Sequence, residues 1–371
     1  MPIFPTIFPT LPKYPGPYDV GTVDVEISLP AGKTKDFPMT ETSVETVLVR
    51  FFYPADLTKV PRNKRHASPL WLPQPSLEYA KGYANFLKQP IMPASLAISL
   101  AVCNTHISAF ENAPALAPPV SRFPVMIFSH GLGGSRNAYS QWCGSIASYG
   151  VFVAAIEHRD GSAPATVVRA GTGKQFSIPY HRITEYNNET KHLRTSQLAQ
   201  RTYEVAQLVS LLRDINHGKE VDLDVKKSSI LHQFKGLLNT KKGQMIMAGH
   251  SFGAATTVAV CKDKENVESD YPLKDEFKAA LCLDIWMMVY TLYRRTTNIS
   301  AFDCYPDRPN GHTVIACYLR SIPQMEGELQ LYTSVIRRVT TGICVHKSFL
   351  LEGFSTFIPI RLSTTIPQSM S

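Results

Sequence analysis

The sequence predicts an α/β fold with a mostly parallel central sheet and helices on both of its faces. Short apolar segments alternate along the chain with segments in which apolar residues recur at helical spacing. Short continuous apolar segments are typical of strands that are buried on both faces, as strands of parallel sheets are. Strands that alternate with helices favour this architecture because each helix crosses over the sheet between two parallel strands.

Six strands are predicted in chain order, each from a short apolar or alternating segment. Most of these segments are bounded by proline, glycine or a polar residue, which interrupt regular structure. The predicted strands cover residues 22–29, 44–53, 125–128, 151–156, 244–248 and 279–283.

Three helices are predicted between these strands. Two of them cover residues 139–148 and 254–260. The clearest covers residues 192–215, and Gly218 follows it as a stop signal. Its single apolar face is formed by Leu198, Val205, Leu208, Leu211 and Leu212.

Length and composition favour a single globular domain. The chain has 371 residues, of which 44% are hydrophobic and 18% charged. We predict one α/β domain over residues 1–371, with a proline-rich extended N-terminus at 1–17 and an atypical C-terminal segment at 289–371. The net charge of +8 is diffuse, which indicates a mildly basic soluble protein with no nucleic-acid partner.

Cysteine usage and hydropathy predict a cytoplasmic protein. The seven cysteines are scattered without a Cys-x-x-Cys pair, which is typical of reduced thiols and offers no metal-ligand spacing. No charged segment followed by an apolar stretch opens the chain, and no run of about 18 apolar residues occurs in it. We therefore expect neither a signal peptide nor a transmembrane helix, and no bound metal.

The most informative motif is Gly249-His250-Ser251-Phe252-Gly253, which lies between a predicted strand and a predicted helix. A serine hydroxyl is a poor nucleophile until a base removes its proton. A sharp strand-to-helix turn pushes the hydroxyl out of the sheet toward such a base, and flanking glycines relieve the crowding. The motif thus predicts an α/β-hydrolase fold with Ser251 as its nucleophile, against the alternative of an ordinary glycine-flanked turn.

A glycine-rich loop, Ser-His-Gly-Leu-Gly-Gly at 129–134, follows the strand predicted at 125–128. In α/β-hydrolase folds the loop at this position supplies one N–H donor to the oxyanion hole, and the residue after the nucleophile supplies the other. We therefore predict Leu132 and Phe252 as these donors. A dinucleotide-binding loop is excluded because the pattern G-x-G-x-x-G is absent, and His130 is predicted to brace the loop.

A charged cluster, Glu157-His158-Arg159-Asp160, follows the strand predicted at 151–156. The His-Arg-Asp sequence is not a kinase catalytic loop here, because no kinase glycine-rich loop or Asp-Phe-Gly accompanies it. We predict that the cluster forms an ion-paired wall of the pocket. His158 is also an alternative for the catalytic base.

Four blocks of the sequence resemble the platelet-activating factor acetylhydrolases, specifically the plasma and intracellular type II group with its fungal relatives. The blocks are Phe-Ser-His-Gly-Leu-Gly at 128–133, Val-Ala-Ala-Ile-Glu-His-Arg-Asp-Gly-Ser at 153–162, Gly-His-Ser-Phe-Gly-Ala-Ala-Thr at 249–256 and Leu-Asp-Ile-Trp-Met at 283–287. Their order and spacing also fit, and the resemblance covers about residues 15–288. Together the blocks are far more specific than the serine pentapeptide.

The resemblance implies calcium-independent hydrolysis of short or oxidised sn-2 acyl chains of phospholipids, as by a 1-alkyl-2-acetylglycerophosphocholine esterase. It implies Ser251 as nucleophile, Asp284 as triad acid, Leu132 and Phe252 as oxyanion donors, and no cofactor. The expected partners are the phospholipid substrate and, transiently, a membrane surface. A carboxylate just past an apolar strand can orient a histidine, so the chemistry agrees for Asp284, although a surface aspartate at a strand end is the alternative.

The resemblance stops after Met288. His346 is predicted as the base, because it gives the chain order Ser, Asp, His, although the closely flanking glycine and the Asp-Phe of the family are missing around it. His312 is the second candidate. If residues 289–371 are instead an altered reading frame or a mis-spliced end, the last strands and the base are lost.

Three functions therefore remain open from the sequence. The first is a phospholipase-like serine esterase, and the second is an α/β-hydrolase carboxylesterase on non-lipid esters, since fold does not fix substrate. The third is a catalytically dead remnant that binds lipid or a partner. Segment 86–98 is rich in apolar residues and is either an exposed patch for a lipid interface or ordinary core packing.

Overall fold

The computed structural model describes residues 10–61, 68–102, 104–119, 121–169, 175–185, 187–221, 228–261, 273–285, 302–307 and 314–319. The chain divides into two compact units, residues 1–322 and 323–371, and all described residues belong to the first. The single domain predicted over 1–371 stays a prediction.

The first unit begins with strands and a helical hairpin. Its elements up to the second helix are β1 (Val20–Ser28), β2 (Lys35–Phe37), β3 (Thr42–Val44), β4 (Thr46–Pro54), α1 (Ser76–Phe86) and α2 (Ile91–Val102). The next elements are β5 (Phe110–Glu111), β6 (Phe123–Ser129), α3 (Ser140–Ala147), β7 (Phe152–Glu157), β8 (Ala165–Arg169), β9 (Gln175–Pro179) and α4 (Asn188–His217).

The remaining described elements complete the sheet. They are α5 (Ser228–Leu231), β10 (Leu238–Asn239), β11 (Met245–His250), α6 (Phe252–Val260), β12 (Phe277–Leu283), β13 (Phe302–Asp307) and β14 (Val314–Leu319).

Ten strands form one mostly parallel sheet in the order β13-β14-β12-β11-β6-β7-β4-β1-β5, with β10 paired to β6. The central strands β12, β11, β6 and β7 run parallel, which confirms the predicted α/β-hydrolase architecture. Residues 22–29 and 44–53 were expected among the parallel strands, but β1 is antiparallel to β4, and β4 is antiparallel to β7. Burial on both faces does not determine direction, so the apolar pattern could not distinguish the two cases.

The long helix α4 has a clear physical start and end. The Asn187 side chain accepts a hydrogen bond from the Thr190 N–H at 3.0 Å, which caps the first turn. Gly218 ends the helix in the left-handed conformation with φ of 71°, as the sequence predicts. This helix packs against α6, which follows the predicted nucleophile.

The main core lies on the face of the sheet that α4 covers. Every residue of β4 is buried, and the rings of Phe51 and Tyr53 pack with Phe152 and Phe234. Buried aromatic rings contribute large apolar area and tilted contacts of this kind, so they hold the sheet rigid behind the site. In the described part of the chain, no helix combines the length and apolar character needed to cross a membrane. The cytoplasmic location stays a prediction.

Candidate active site

Ser251 lies at the sharp turn between β11 and α6. Its backbone has φ of 54° and ψ of −112°, a conformation that L-residues rarely adopt. The Ser251 N–H donates to the Leu283 carbonyl at 2.9 Å, and the Ser251 carbonyl accepts from the Ala254 N–H at 3.1 Å. These bonds hold the strained residue in place with its side chain only half-buried. The strand, turn and helix therefore occur where the motif predicts them, although the nucleophilic role of Ser251 stays a prediction.

The glycines on either side of the turn have no room for a side chain. A Cβ atom on Gly249 would lie 2.1 Å from the Gly253 carbonyl oxygen, and one on Gly253 would lie 2.0 Å from the Ser129 carbonyl oxygen. Both distances are far below van der Waals contact, so backbone segments meet directly at this point. The glycines thus allow α6 to begin against the end of β6.

The glycine-rich loop at 129–134 lies directly against Ser251. A Cβ atom on Gly131 would be 3.1 Å from the Ser251 Cβ. The side chain of Leu132 packs on an apolar cluster that contains Phe252. Within the described residues, no oxygen accepts a hydrogen bond from the Leu132 N–H. The structure therefore brings the two predicted donor residues together beside Ser251, and their action on an oxyanion stays a prediction.

Tyr139 links the loop to the nucleophile strand, a contact that the sequence analysis missed. Its hydroxyl accepts from the Gly131 N–H at 3.3 Å and lies 2.8 Å from His250 Nδ1. Burial raises the pKa of Tyr139 to about 12, so the hydroxyl stays protonated at this contact. No motif marks Tyr139 in the sequence, because the contact depends on the sheet bringing two distant segments together.

Asp284 directly follows β12, the strand next to the one that leads into Ser251. The parallel pairing of Leu283 with His250 sets Asp284 beside the nucleophile turn. Its backbone has φ of 46°, and its side chain is exposed. A carboxylate at this edge can reach a histidine from a following loop, but its triad role stays a prediction.

Neither candidate for the catalytic base falls within the described residues. His346 and His312 both lie outside them, so their positions relative to Ser251 stay untested. Among the described histidines, none has a ring nitrogen within hydrogen-bonding distance of the Ser251 hydroxyl.

The two buried histidines of the core have other partners. His130 Nδ1 donates to the Gly131 carbonyl at 2.8 Å and its Nε2 accepts from the His158 N–H at 3.1 Å, so His130 braces the loop as predicted. His158 Nε2 contacts Ser129 Oγ at 2.8 Å, and its Nδ1 contacts Glu204. The alternative of His158 as the base is therefore wrong, because both of its ring nitrogens are engaged away from the nucleophile.

The charged cluster at 157–160 is ion-paired, as predicted, but it does not form a pocket wall. Glu157 pairs with Arg136 at 2.7 Å, Arg159 with Glu26 at 2.6 Å, and Asp160 with Arg201 at 2.7 Å. All four residues of the cluster are completely buried. The sequence could place these charges at a strand end, but it could not show that a helix and a hairpin cover them.

One family of proteins shares most of this sequence, including the turn at Ser251. The family model of platelet-activating factor acetylhydrolase, isoform II, matches residues 8–297. The chain belongs to this family. The match includes Ser251, Asp284 and the loop at 129–134, and it ends close to the point where the sequence resemblance stops.

Curated relatives agree with the family assignment. A Schizosaccharomyces pombe protein named "Putative phospholipase A2" is 35% identical over 296 residues, which are 75% of this chain and 65% of that protein. The platelet-activating factor acetylhydrolase of Cavia porcellus is 32% identical over 283 residues, covering 75% of this chain and 56% of the relative. The chain thus spans about 56–65% of the length of these two relatives.

Solved structures with a similar backbone include esterases. A ferulic acid esterase from Streptomyces cinnamoneus has a TM-score of 0.40 and 16% identity, covering 67% of this chain and 56% of that one. A likeness of this size carries no argument about function.

Proposed function

We propose that the protein is a serine esterase that hydrolyses the sn-2 short-chain or oxidised acyl ester of phospholipids. The observation that carries this proposal is the strained turn at Ser251 with the glycine-rich loop packed against it, in a chain of the platelet-activating factor acetylhydrolase family. The names of the relatives indicate the substrate class, and the geometry of the turn supports the chemistry.

The proposed reaction proceeds through an acyl-enzyme. The Ser251 hydroxyl attacks the ester carbonyl while a histidine takes its proton, and the Leu132 and Phe252 N–H groups stabilise the resulting oxyanion. The same histidine then protonates the leaving alcohol, and a water molecule releases the acid. We assign the histidine to His346, with His312 as the second candidate, and its orientation to Asp284.

An exposed apolar face on α2 supports a lipid surface as the place of reaction. Met92, Leu96 and Leu100 follow at intervals of four residues, and they are 72%, 60% and 52% exposed. The alternative of ordinary core packing for segment 86–98 is therefore wrong for Met92 and Leu96. Exposed contiguous apolar side chains of this kind are typical of surfaces that meet a membrane or a partner.

Lysine on this face should weaken binding to vesicles. We expect the double variant Met92→Lys, Leu96→Lys to bind phosphatidylcholine vesicles about 100-fold more weakly, because each of the two apolar side chains loses roughly 1.5 kcal/mol of burial in the interface. The control is Met39→Lys, since Met39 is 53% exposed but lies in a separate turn. Equal vesicle binding by the double variant and the control would remove this support.

A substrate panel tests the proposed function. Wild type should release acetate from a short-chain sn-2 phospholipid and hydrolyse short p-nitrophenyl esters, and Ser251→Ala should do neither. Preference for non-lipid or long-chain esters would favour the carboxylesterase alternative. Wild type without any hydrolysis would favour the remnant.

The same panel locates the base. We expect His346→Ala to lower kcat by about six decades, while His312→Ala keeps it, because only the base removes the Ser251 proton. The reverse result would assign the base to His312.

A further inference from the structure

The buried guanidinium of Arg201 joins the two segments that carry the predicted oxyanion donors. Its Nη1 donates to the His130 carbonyl, in the glycine-rich loop, at 2.9 Å and to Thr256 Oγ1, on α6, at 3.1 Å. Its guanidinium carbon also lies 4.4 Å from the centre of the Phe252 ring. One side chain on α4 therefore contacts both the loop that contains Leu132 and the helix that begins with Phe252.

Arg201 is also connected to the glycine-rich loop through Ser162. Arg201 Nη2 donates to Ser162 Oγ at 2.6 Å, and the Ser162 carbonyl accepts from the Gly133 N–H at 2.8 Å. Asp160 accepts from Arg201 Nε at 2.7 Å and also accepts from the Ser162 hydroxyl and N–H. The loop is thus held from both sides of Leu132, at His130 and at Gly133.

The charge of this pair is fully enclosed. The Arg201 and Asp160 side chains are both 0% exposed. Burial alone would raise the pKa of Asp160, but the Arg201 charge lowers it to about 2, so the carboxylate stays ionised. A planar guanidinium with fixed donors is suited to such a junction, because its fork sets the directions of several hydrogen bonds at once.

We propose that Arg201, oriented by Asp160, is a positioning residue that fixes the Leu132 and Phe252 N–H groups in the geometry of an oxyanion hole. The inference rests on the proposed esterase function, because it concerns the same site. The donors lower the barrier only if they already point at the developing charge. A loop that is free to shift should therefore lower kcat and leave substrate affinity unchanged.

The test compares two equally buried arginines. Arg201→Lys keeps the charge but loses the fork, and we expect kcat for a short p-nitrophenyl ester to fall about 100-fold with KM within about twofold. Affinity for a trifluoromethyl ketone, which forms a tetrahedral adduct, should fall in parallel. Arg159→Lys is the matched control, since Arg159 is 1% exposed and pairs with Glu26 away from the loop. It should keep kcat within about threefold.

A milder variant covers the case in which Arg201→Lys does not fold. Ser162→Ala removes one acceptor from Arg201 but keeps the carbonyl that binds Gly133. We expect kcat to fall about tenfold at unchanged KM, with an unchanged near-ultraviolet circular dichroism spectrum. A folded Ser162→Ala protein with wild-type kcat would overturn the inference.

The outcomes separate this inference from the proposed function. Active wild type in which Arg201→Lys and Arg159→Lys reduce kcat equally overturns the inference alone, since a purely structural role predicts equal effects. Wild type that neither hydrolyses esters nor binds the ketone overturns the proposed function and the inference with it.

Discussion

Glu204 has an unusual protonation state for a carboxyl group in the core. It contacts His158 and accepts from the Arg159 N–H at 3.1 Å. Burial, and then the negative charge of Asp160, raise the pKa of Glu204 to about 8. Burial and the Arg201 charge hold the pKa of His158 well below its usual range, so this histidine stays neutral. Glu204 and His158 therefore share one proton, and the two side chains together add no positive charge beside Arg201.

Glu204 should make the protein less stable as the pH rises from 6.5 to 8. The folded chain holds a proton that the unfolded chain, with an ordinary glutamate pKa near 4.5, has already lost. The stabilisation is complete below pH 4.5 and declines as the pH rises toward 8, by up to about 1.4 kcal/mol per pH unit. We expect the melting temperature of wild type to fall relative to that of Glu204→Gln across this window.

Two buried histidines also affect stability near neutral pH. The lowered pKa values of His130 and His158 make stability rise with pH up to about pH 7.5, because the unfolded histidines are half-protonated at pH 6.5. This contribution is the same in wild type and in Glu204→Gln, so the difference between the two proteins isolates Glu204. A variant Glu204→Gln with the same slope as wild type between pH 6.5 and 8 would contradict the assignment of the proton to Glu204.

The sequence predicts the structural setting of some single residues and not of others. The turn at Ser251 could be predicted, because such a turn requires a local pattern of glycines between an apolar strand and a helix. The role of Arg201 could not be predicted, because its partners come from three distant segments of the chain. One signal was present, since Arg201 lies three residues after Leu198 and four before Val205, in the middle of the apolar face of α4. A charge at such a position indicates a buried partner.

At the scale of elements, the junction of β6, β11 and α6 is the part that the site depends on most. Gly253 lies in the first turn of α6, where its backbone is helical and any residue could adopt its conformation. Only the space is missing, since a Cβ there would lie 2.0 Å from the Ser129 carbonyl oxygen. Added volume would therefore push the helix away from the strand that leads into the oxyanion loop.

Gly253→Ala should lower both stability and reactivity. We expect a loss of about 1–3 kcal/mol in the free energy of unfolding by urea, typical of overpacking, and a loss of esterase activity because the Phe252 N–H moves. Gly32→Ala is the control, since nothing lies within 4 Å of a Cβ there and only its φ of 77° opposes the change. It should cost about 1 kcal/mol and keep full activity. Full activity in a folded Gly253→Ala protein would contradict the role of this junction.

For the strands of the sheet, local sequence patterns predict where each strand lies but not in which direction it runs. The apolar segments predicted the strands β6, β7, β11 and β12 within one or two residues, and these strands position Ser251 and Asp284. Apolar patterning did not predict that β1 and β4 run antiparallel, since burial is similar in both directions. Nor did it show that four large apolar side chains of α2 are exposed.

At the scale of the whole molecule, the described part of the chain brings together most of the residues predicted for an esterase site, and both candidates for the base lie outside that part. The sheet places Ser251, the loop at 129–134 and Asp284 at one edge, where the carboxyl ends of parallel strands meet. His346 comes from the C-terminal segment at 289–371, whose sequence departs from the family pattern. The fold could thus be predicted from four blocks, whereas the completeness of the triad could not.

The most direct test of the account is the site at which a fluorophosphonate reacts. Wild-type protein is treated with the probe and digested, and the modified residue is identified by tandem mass spectrometry. We predict a single adduct on Ser251, no adduct in Ser251→Ala, and strongly slowed labelling in His346→Ala. An adduct on another serine, or a folded wild-type protein that takes no label, would contradict the central claim that Ser251 is an activated nucleophile.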